Sequence, residues 1–218
     1  MLSIATWNIN SVRLRMPQVA RFLTEQAPDI LCLQEIKTVE ELFPHQAFED
    51  LGYTYRAVHG QKGYHGVATV SRIPLREFSR YDWQANGEAR HVGVELTDSG
   101  LVLENVYIPA GGDVADRAVN AKFGQKLDFF ERMTRWADKL DRPMRGGLVG
   151  QLGRGPGVVE PPSLVFLAPP RTIAPPRIVA PRRGDVLATR STQPWASRNR
   201  ASVSISCGVW LTTLSSAL

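Results

Sequence analysis

Residues 2–9 alternate β-forming and polar side chains before Asn10-Ser11 turns the chain, which predicts a strand ending at Asn8. Pro17 fits the first turn of a helix whose Val19, Phe22, Leu23 and Ala27 recur at spacings of three and four along one face, and Pro28 ends it. Ile30-Leu31-Cys32-Leu33-Gln34 is a short apolar run bounded by Pro-Asp and by charges, the pattern of a strand buried on both faces, with Glu35 just past its end. Strand-like runs follow at 53–58, 66–71, 91–96 and 101–108, with Gly, Asp and Ser between them and a hairpin turn at 97–100. Val119, Phe123, Leu127, Phe130, Met133, Ala137 and Leu140 then mark a long amphipathic helix over 116–140, closed by Pro143. The order predicts a mixed α+β architecture without repeats. Neither GxGxxG nor GxxxxGK[ST] stands at a strand-to-helix turn, which disfavours nucleotide-binding folds of those types; 147–157 is glycine-rich but lacks the lysine.

Composition divides this picture in two. The 218 residues carry a formal charge of +5, but residues 1–144 hold 17 basic and 19 acidic side chains, a balance of −2, while 145–218 hold 9 and 2, a balance of +7. All nine of those basic residues are arginines, and the same segment carries nine of the fifteen prolines, three times as adjacent pairs. Each proline removes a backbone donor and restricts its predecessor, so 146–183 is expected to be mostly irregular. A basic stretch suits phosphate contacts; an abrupt change of composition also fits an out-of-frame continuation of a sequence that ends near Pro143.

No apolar run reaches the length of a membrane span, and the N-terminus has no basic region ahead of an apolar stretch, so no membrane contact is expected and the cytoplasm is the expected compartment. Cys32 and Cys207 lack a second thiol at metal-ligand spacing, which makes a disulfide framework or a cysteine zinc site a poor fit.

Asn8 and Glu35 stand at the C-terminal ends of two early strands, where sheets with helical crossovers usually place functional side chains. A carboxylate and an amide suit a hard cation: Mg²⁺ prefers oxygen ligands, commonly one or two carboxylates completed by water and phosphate oxygens. Taken alone, Glu35 would be equally consistent with a solvated charge at a strand end.

The strings Thr-Trp-Asn-Ile-Asn-Ser-Val-Arg (6–13) and Leu-Gln-Glu-Ile-Lys (33–37) resemble the opening motifs of the exonuclease III family, the abasic-site endonuclease branch of the endonuclease/exonuclease/phosphatase superfamily. The resemblance continues through Gly-Tyr-His-Gly-Val-Ala-Thr (63–69), Gly-Glu-Ala-Arg (87–90), Asn-Val-Tyr-Ile-Pro-Ala-Gly-Gly-Asp (105–113) and Lys-Phe-Gly-Gln-Lys-Leu-Asp-Phe-Phe (122–130), covering about the first 144 residues. It implies a four-layer α/β sandwich, two mixed β-sheets flanked by helices, with the second half here missing or replaced by irregular chain. It implies a DNA repair phosphodiesterase that uses Mg²⁺ or Mn²⁺ to remove nucleotides from 3′ ends and to cut beside abasic sites, acting on DNA as a monomer.

By the same resemblance Glu35 is similar to the family's metal-binding glutamate, Asn8 to an active-site amide and Tyr107 to the tyrosine that touches the scissile phosphate. Arg13 and Arg90 fall in motifs near the DNA backbone or the rim of the site. Lys37 resembles the lysine of a Glu-x-Lys motif, whereas His65 and His91 read as polar strand residues rather than catalysts. The family's later motifs have no counterpart. Gln151 stands where its aspartate belongs, Gly153 where its asparagine belongs, no histidine follows His91, and Asp185 sits in an unrelated context. Losing a positioned base costs about 10²- to 10⁴-fold in rate, so weak turnover is expected, and a strand face left to a proline-rich tail instead of its sheet partner favours aggregation, so poor solubility is expected. The alternatives are a non-catalytic remnant that binds DNA weakly through its basic tail, and a related hydrolase acting on a phosphoinositide or sphingolipid.

Overall fold

The computed structural model describes residues 2–139, 146–152, 163–167, 201–206 and 209–214. Two sheets face each other. The first contains β1 (Leu2–Asn8), β2 (Ile30–Gln34), β3 (Tyr55–His59), β4 (Val67–Ser71) and β9 (Ser163–Leu167), in the order β3-β4-β2-β1-β9. The second contains β5 (Leu75–Ser79), β6 (His91–Leu96), β7 (Leu101–Ile108), β8 (Gly146–Leu152), β10 (Ala201–Ser206) and β11 (Val209–Leu214), in the order β10-β11-β8-β7-β6-β5. The helices are α1 (Met16–Gln26), α2 (His45–Asp50) and α3 (Ala121–Asp138), with a 3₁₀ turn at Glu40–Leu42.

Strand alternation generates the layers, because successive side chains point to opposite faces. Ala5, Trp7, Leu31, Leu33, Ala68 and Val70 pack outward against Val19 and Leu23 of α1 and Phe48 of α2. Ile4, Ile30, Cys32 and Val67 face inward to meet Val92, Val94, Leu103 and Tyr107 of the other sheet. Val106 and Ile108, one step off in β7, turn outward to Phe129 of α3 and to Trp83. The result is helices, sheet, sheet, helix: the expected four-layer sandwich of two mixed sheets. No helix among the described residues is long and apolar enough to cross a membrane.

Several elements differ from the sequence reading. The long helix begins at Ala121 rather than near 116, because the Asn120 side chain accepts from the backbone N–H groups of Lys122 (3.1 Å) and Phe123 (3.4 Å) as its N-cap. Strand β5 and helix α2 were not anticipated: β5 has one buried residue, and α2 has six residues with Phe48 as its buried anchor, so neither carries a full period of apolar positions.

The expectation of irregular chain over 146–183 is corrected in two places. Gly146–Leu152 pairs parallel with β7, and Ser163–Leu167 pairs antiparallel with β1. The prolines bracket these segments instead of interrupting them: Pro161-Pro162 precedes and Pro169-Pro170 follows an apolar pentapeptide free of proline. Gly153, Asp185 and Cys207 lie outside the described residues.

Candidate active site

Parallel pairing of β1 with β2 puts Asn8 opposite Gln34, so both strands end at the same sheet edge and Glu35 follows immediately. Across the sandwich Tyr107 sits near the end of β7 with its side chain on the face turned towards β2. The three side chains meet at one atom. Asn8 Nδ2 donates to Glu35 Oε1 at 2.9 Å, and the Tyr107 hydroxyl donates to the same oxygen at 2.6 Å. Lys37 Nζ stands 3.1 Å from Glu35 Oε2 and donates to Asn10 Oδ1 at 2.5 Å. The Asn8 amide is itself oriented, since its Oδ1 accepts from the Asn10 N–H at 3.2 Å.

The backbone around this cluster is unusual. Asn10, Ser11, Glu35, Lys37 and His65 all have positive φ, between 46° and 87°. Left-handed conformations at non-glycine residues cost about 1–3 kcal/mol each and persist only where surrounding bonds over-determine them. Here three loops bind one another: Ser11 N–H to Glu35 O (2.7 Å), Val12 N–H to Ile36 O (3.1 Å), Ile36 N–H to Gly66 O (3.1 Å) and Lys37 N–H to His65 O (3.0 Å). Gly66, at φ +80°, lies so close to Ile36 that a Cβ there would stand 2.6 Å from its Cγ1.

Charge follows from these contacts. Burial pushes the Glu35 carboxyl up, but the hydrogen bonds from Asn8, Tyr107 and Lys37 outweigh it and hold the group below the usual carboxylate range. Burial, then the bond to Glu35, raises the Tyr107 phenol well above its ordinary value, so it remains a donor at neutral pH. His65 is held below the usual imidazole range by burial and then by the Arg90 guanidinium.

Of the residues singled out in the sequence, Asn8, Glu35 and Tyr107 come together. Arg90 belongs beside them but not as an exposed rim charge: it is 8% exposed, its guanidinium lies 4.7 Å over the Tyr107 ring, and its Nε donates to Glu88. Arg13 is exposed on the turn after β1, outside the hydrogen-bonded cluster. His91 is the polar strand residue expected, fully buried and paired through Nε2 with Glu104 at 2.7 Å. His65 is instead a loop residue ahead of β4, 3.4 Å from Arg90 Nη2. The sequence reading missed Asn10, which lies within the opening string Thr-Trp-Asn-Ile-Asn, and Glu88, which lies within Gly-Glu-Ala-Arg.

A hard cation fits the donor set minimally. Glu35 supplies one ionised carboxylate at a solvent-accessible sheet edge, and no group of three or more acidic, histidine or cysteine side chains able to hold a metal occurs among the described residues. Strand β8 reaches the same edge, with Gln151 opposite Tyr107 in the parallel register.

The two-sheet fold has counterparts among known proteins. Residues 5–198 match the model of the Endonuclease/Exonuclease/phosphatase family, a span that crosses the compositional break. An exodeoxyribonuclease III from Haemophilus influenzae is 33% identical over 142 residues, which are 63% of this chain and 52% of that protein. The chain therefore spans about half the length of that curated relative. Among solved structures, a 3′ phosphatase, NExo, from Neisseria bound to a product DNA hairpin is 33% identical with a TM-score of 0.60, covering 69% of this chain and 57% of that one. An AP endonuclease from Archaeoglobus fulgidus is 31% identical with a TM-score of 0.59, covering 70% and 56%. The family model thus spans most of the chain, across both sheets, and the chain belongs to the Endonuclease/Exonuclease/phosphatase family.

Proposed function

We propose that this chain is an exonuclease III-like phosphodiesterase acting on DNA, in which Glu35 seats Mg²⁺ or Mn²⁺ while Asn8 and Tyr107 address the scissile phosphate, and that its turnover is low. The convergence of Asn8, Tyr107 and Lys37 on the Glu35 carboxylate carries the reading.

A phosphodiester already bears negative charge, so attack requires positive charge on its non-bridging oxygens, a donor to the leaving oxygen and a base for water. Glu35 stays ionised at neutral pH because three donors stabilise its anion. A divalent ion held there would supply charge neutralisation at the phosphate. Tyr107 stays protonated and Lys37 stays close to Glu35, so hydrogen-bond donors face the same point as the carboxylate. Among the described residues, the cluster holds no group placed to act as that base. His65 has its Nε2 engaged by Arg90 at 3.4 Å and Glu88 at 3.5 Å, and the residue facing Tyr107 from β8 is a glutamine. An absent positioned base reduces the rate about 10²- to 10⁴-fold.

The test is cleavage of a duplex carrying an abasic site, and of recessed 3′ ends, with Mg²⁺ or Mn²⁺. Slow incision that stops with chelator and with Glu35→Gln supports the reading. Salt-dependent DNA binding without metal-dependent cleavage favours a binding remnant, and cleavage of a phosphoinositide or sphingolipid headgroup instead of DNA moves the substrate class. The change of composition supports an out-of-frame origin for residues 145–218. The nucleotide sequence spanning codons 140 to 160 tests that origin: an intact frame, with no family-like continuation in a neighbouring one, contradicts it.

A further inference from the structure

Beneath the Glu35 cluster, one residue deeper in β2 and two in β7, lies a second connection between the sheets. The Asn105 carboxamide is fully buried, and both its oxygen and its nitrogen are hydrogen-bonded. Its Oδ1 accepts from Gln34 Nε2 at 2.8 Å, while its Nδ2 faces the carbonyls of Ala68 (3.0 Å) and Leu33 (3.3 Å) and the Thr69 hydroxyl (3.4 Å). Gln34 is equally buried, and its Nε2 also donates to Thr6 Oγ1 at 3.0 Å. One side chain from β7 is thereby tied to β2 and β4 together, within a layer between the sheets that Ile30, Cys32, Val67 and Leu103 make largely apolar.

A polar group in that layer is costly unless bonded, and a satisfied buried network rigidifies the contact and specifies one arrangement of it. Hydrogen bonds fix both distance and register. Gln34 is the residue before Glu35, and Asn105 shares the inward face of β7 with Tyr107, two positions on. The Gln34–Asn105 bond of 2.8 Å and the Glu35–Tyr107 bond of 2.6 Å are therefore successive links from β7 to the last residue of β2 and to the residue after it.

We propose that Asn105 is a positioning residue: by clamping β7 to β2 and β4 one rung below the site, it sets the separation at which the Tyr107 hydroxyl reaches Glu35. Its consequence for catalysis rests on the function proposed above, but the positioning itself does not.

The test reads the Tyr107 hydroxyl directly and without metal. In protein labelled with ¹³Cζ-tyrosine, Tyr107→Phe identifies the Tyr107 resonance among the five tyrosines, and Glu35→Gln marks its position when the carboxylate acceptor is lost. Asn105→Ala is expected to move the Tyr107 signal most of the way to that position. The Tyr53 signal, whose hydroxyl donates to the Pro28 carbonyl at 2.5 Å far from the clamp, is expected to stay. An unmoved Tyr107 signal in a folded Asn105→Ala protein overturns the proposal, as does a displacement shared by all the tyrosines. Should Asn105→Ala not fold, Asn105→Ser and Gln34→Met carry the same comparison with a smaller expected displacement. A Tyr107 signal that depends on Asn105 in a chain that binds no divalent ion sinks the proposed function and leaves the clamp standing.

Discussion

Tyr107 donates a 2.6 Å hydrogen bond to Glu35 across 72 positions of sequence, joining the ends of two strands that belong to different sheets. The bond does two things at once: it holds the phenol in its protonated form and it stabilises the carboxylate as an anion. A hydrogen bond to a charged group in a partly buried site contributes about 1.5–3 kcal/mol. Tyr107→Phe keeps the ring beneath Arg90 and removes that bond, so urea unfolding at neutral pH should show a loss of about that size. Because the folded Glu35 carboxyl lies below its ordinary range, its stabilisation is present above the unfolded value near ~4.3 and is lost as pH falls through the folded value. The gap between wild type and Tyr107→Phe should therefore be constant above pH ~5 and narrow below pH ~4. A gap that does not change with acidification contradicts the assignment.

His65 gives a second pH dependence in a different window. Burial and the Arg90 guanidinium favour its neutral form, so its contribution is complete above the unfolded value near ~6.5 and is lost as pH falls below it. His65→Asn should flatten the decline of stability between pH ~6.5 and ~5, measured by chemical denaturation at several pH values. Parallel curves for wild type and variant would show that the imidazole is not held neutral.

The outer layer of the second sheet depends on Phe129, which is 1% exposed and meets Trp83 edge-on at 5.4 Å. Truncating a buried phenylalanine costs about 3–5 kcal/mol. Phe129→Ala should lower the unfolding free energy by about that amount, read by urea titration of tryptophan fluorescence. A loss under about 1 kcal/mol would mean that α3 does not pack on β7 as described.

Strand β8 brings Gln151 opposite Tyr107, at the edge where Glu35 holds the negative charge. If turnover is limited by too few carboxylates, Gln151→Asp should raise metal-dependent incision of an abasic duplex by about tenfold or more. An unchanged rate, with fold and DNA affinity preserved, would place the limitation elsewhere.

Much of this site could be read from the chain because its parts are local. Asn8 and Glu35 stand at the ends of apolar strands, a placement that for Glu35 equally fits a solvated charge, and Tyr107 was singled out by the resemblance of its motif to the exonuclease III family. Their meeting could not be read so easily, since it depends on a parallel register and on the inward face of β7. Arg90 illustrates the limit: the motif it belongs to suggested a place near the DNA backbone or the rim of the site, whereas the Tyr107 ring and Glu88 give a guanidinium enough partners to be buried. Glu35, Lys37 and His65 were equally opaque in their backbone, because left-handed conformations imposed by three interlocked loops leave no mark on residue type. Strands β8 and β9 were masked by the prolines around them, whose breaking effect stops at the residues they adjoin.

The most direct test of the account is titration of the intact chain with Mn²⁺, followed by electron paramagnetic resonance, in wild type and Glu35→Gln. One Mn²⁺ site is expected in the wild type, with an affinity at least about tenfold weaker in the variant and the fold unchanged by circular dichroism. Equal affinities in the two folded proteins would contradict it, because the cation would then be bound by something other than the carboxylate on which Asn8 and Tyr107 converge.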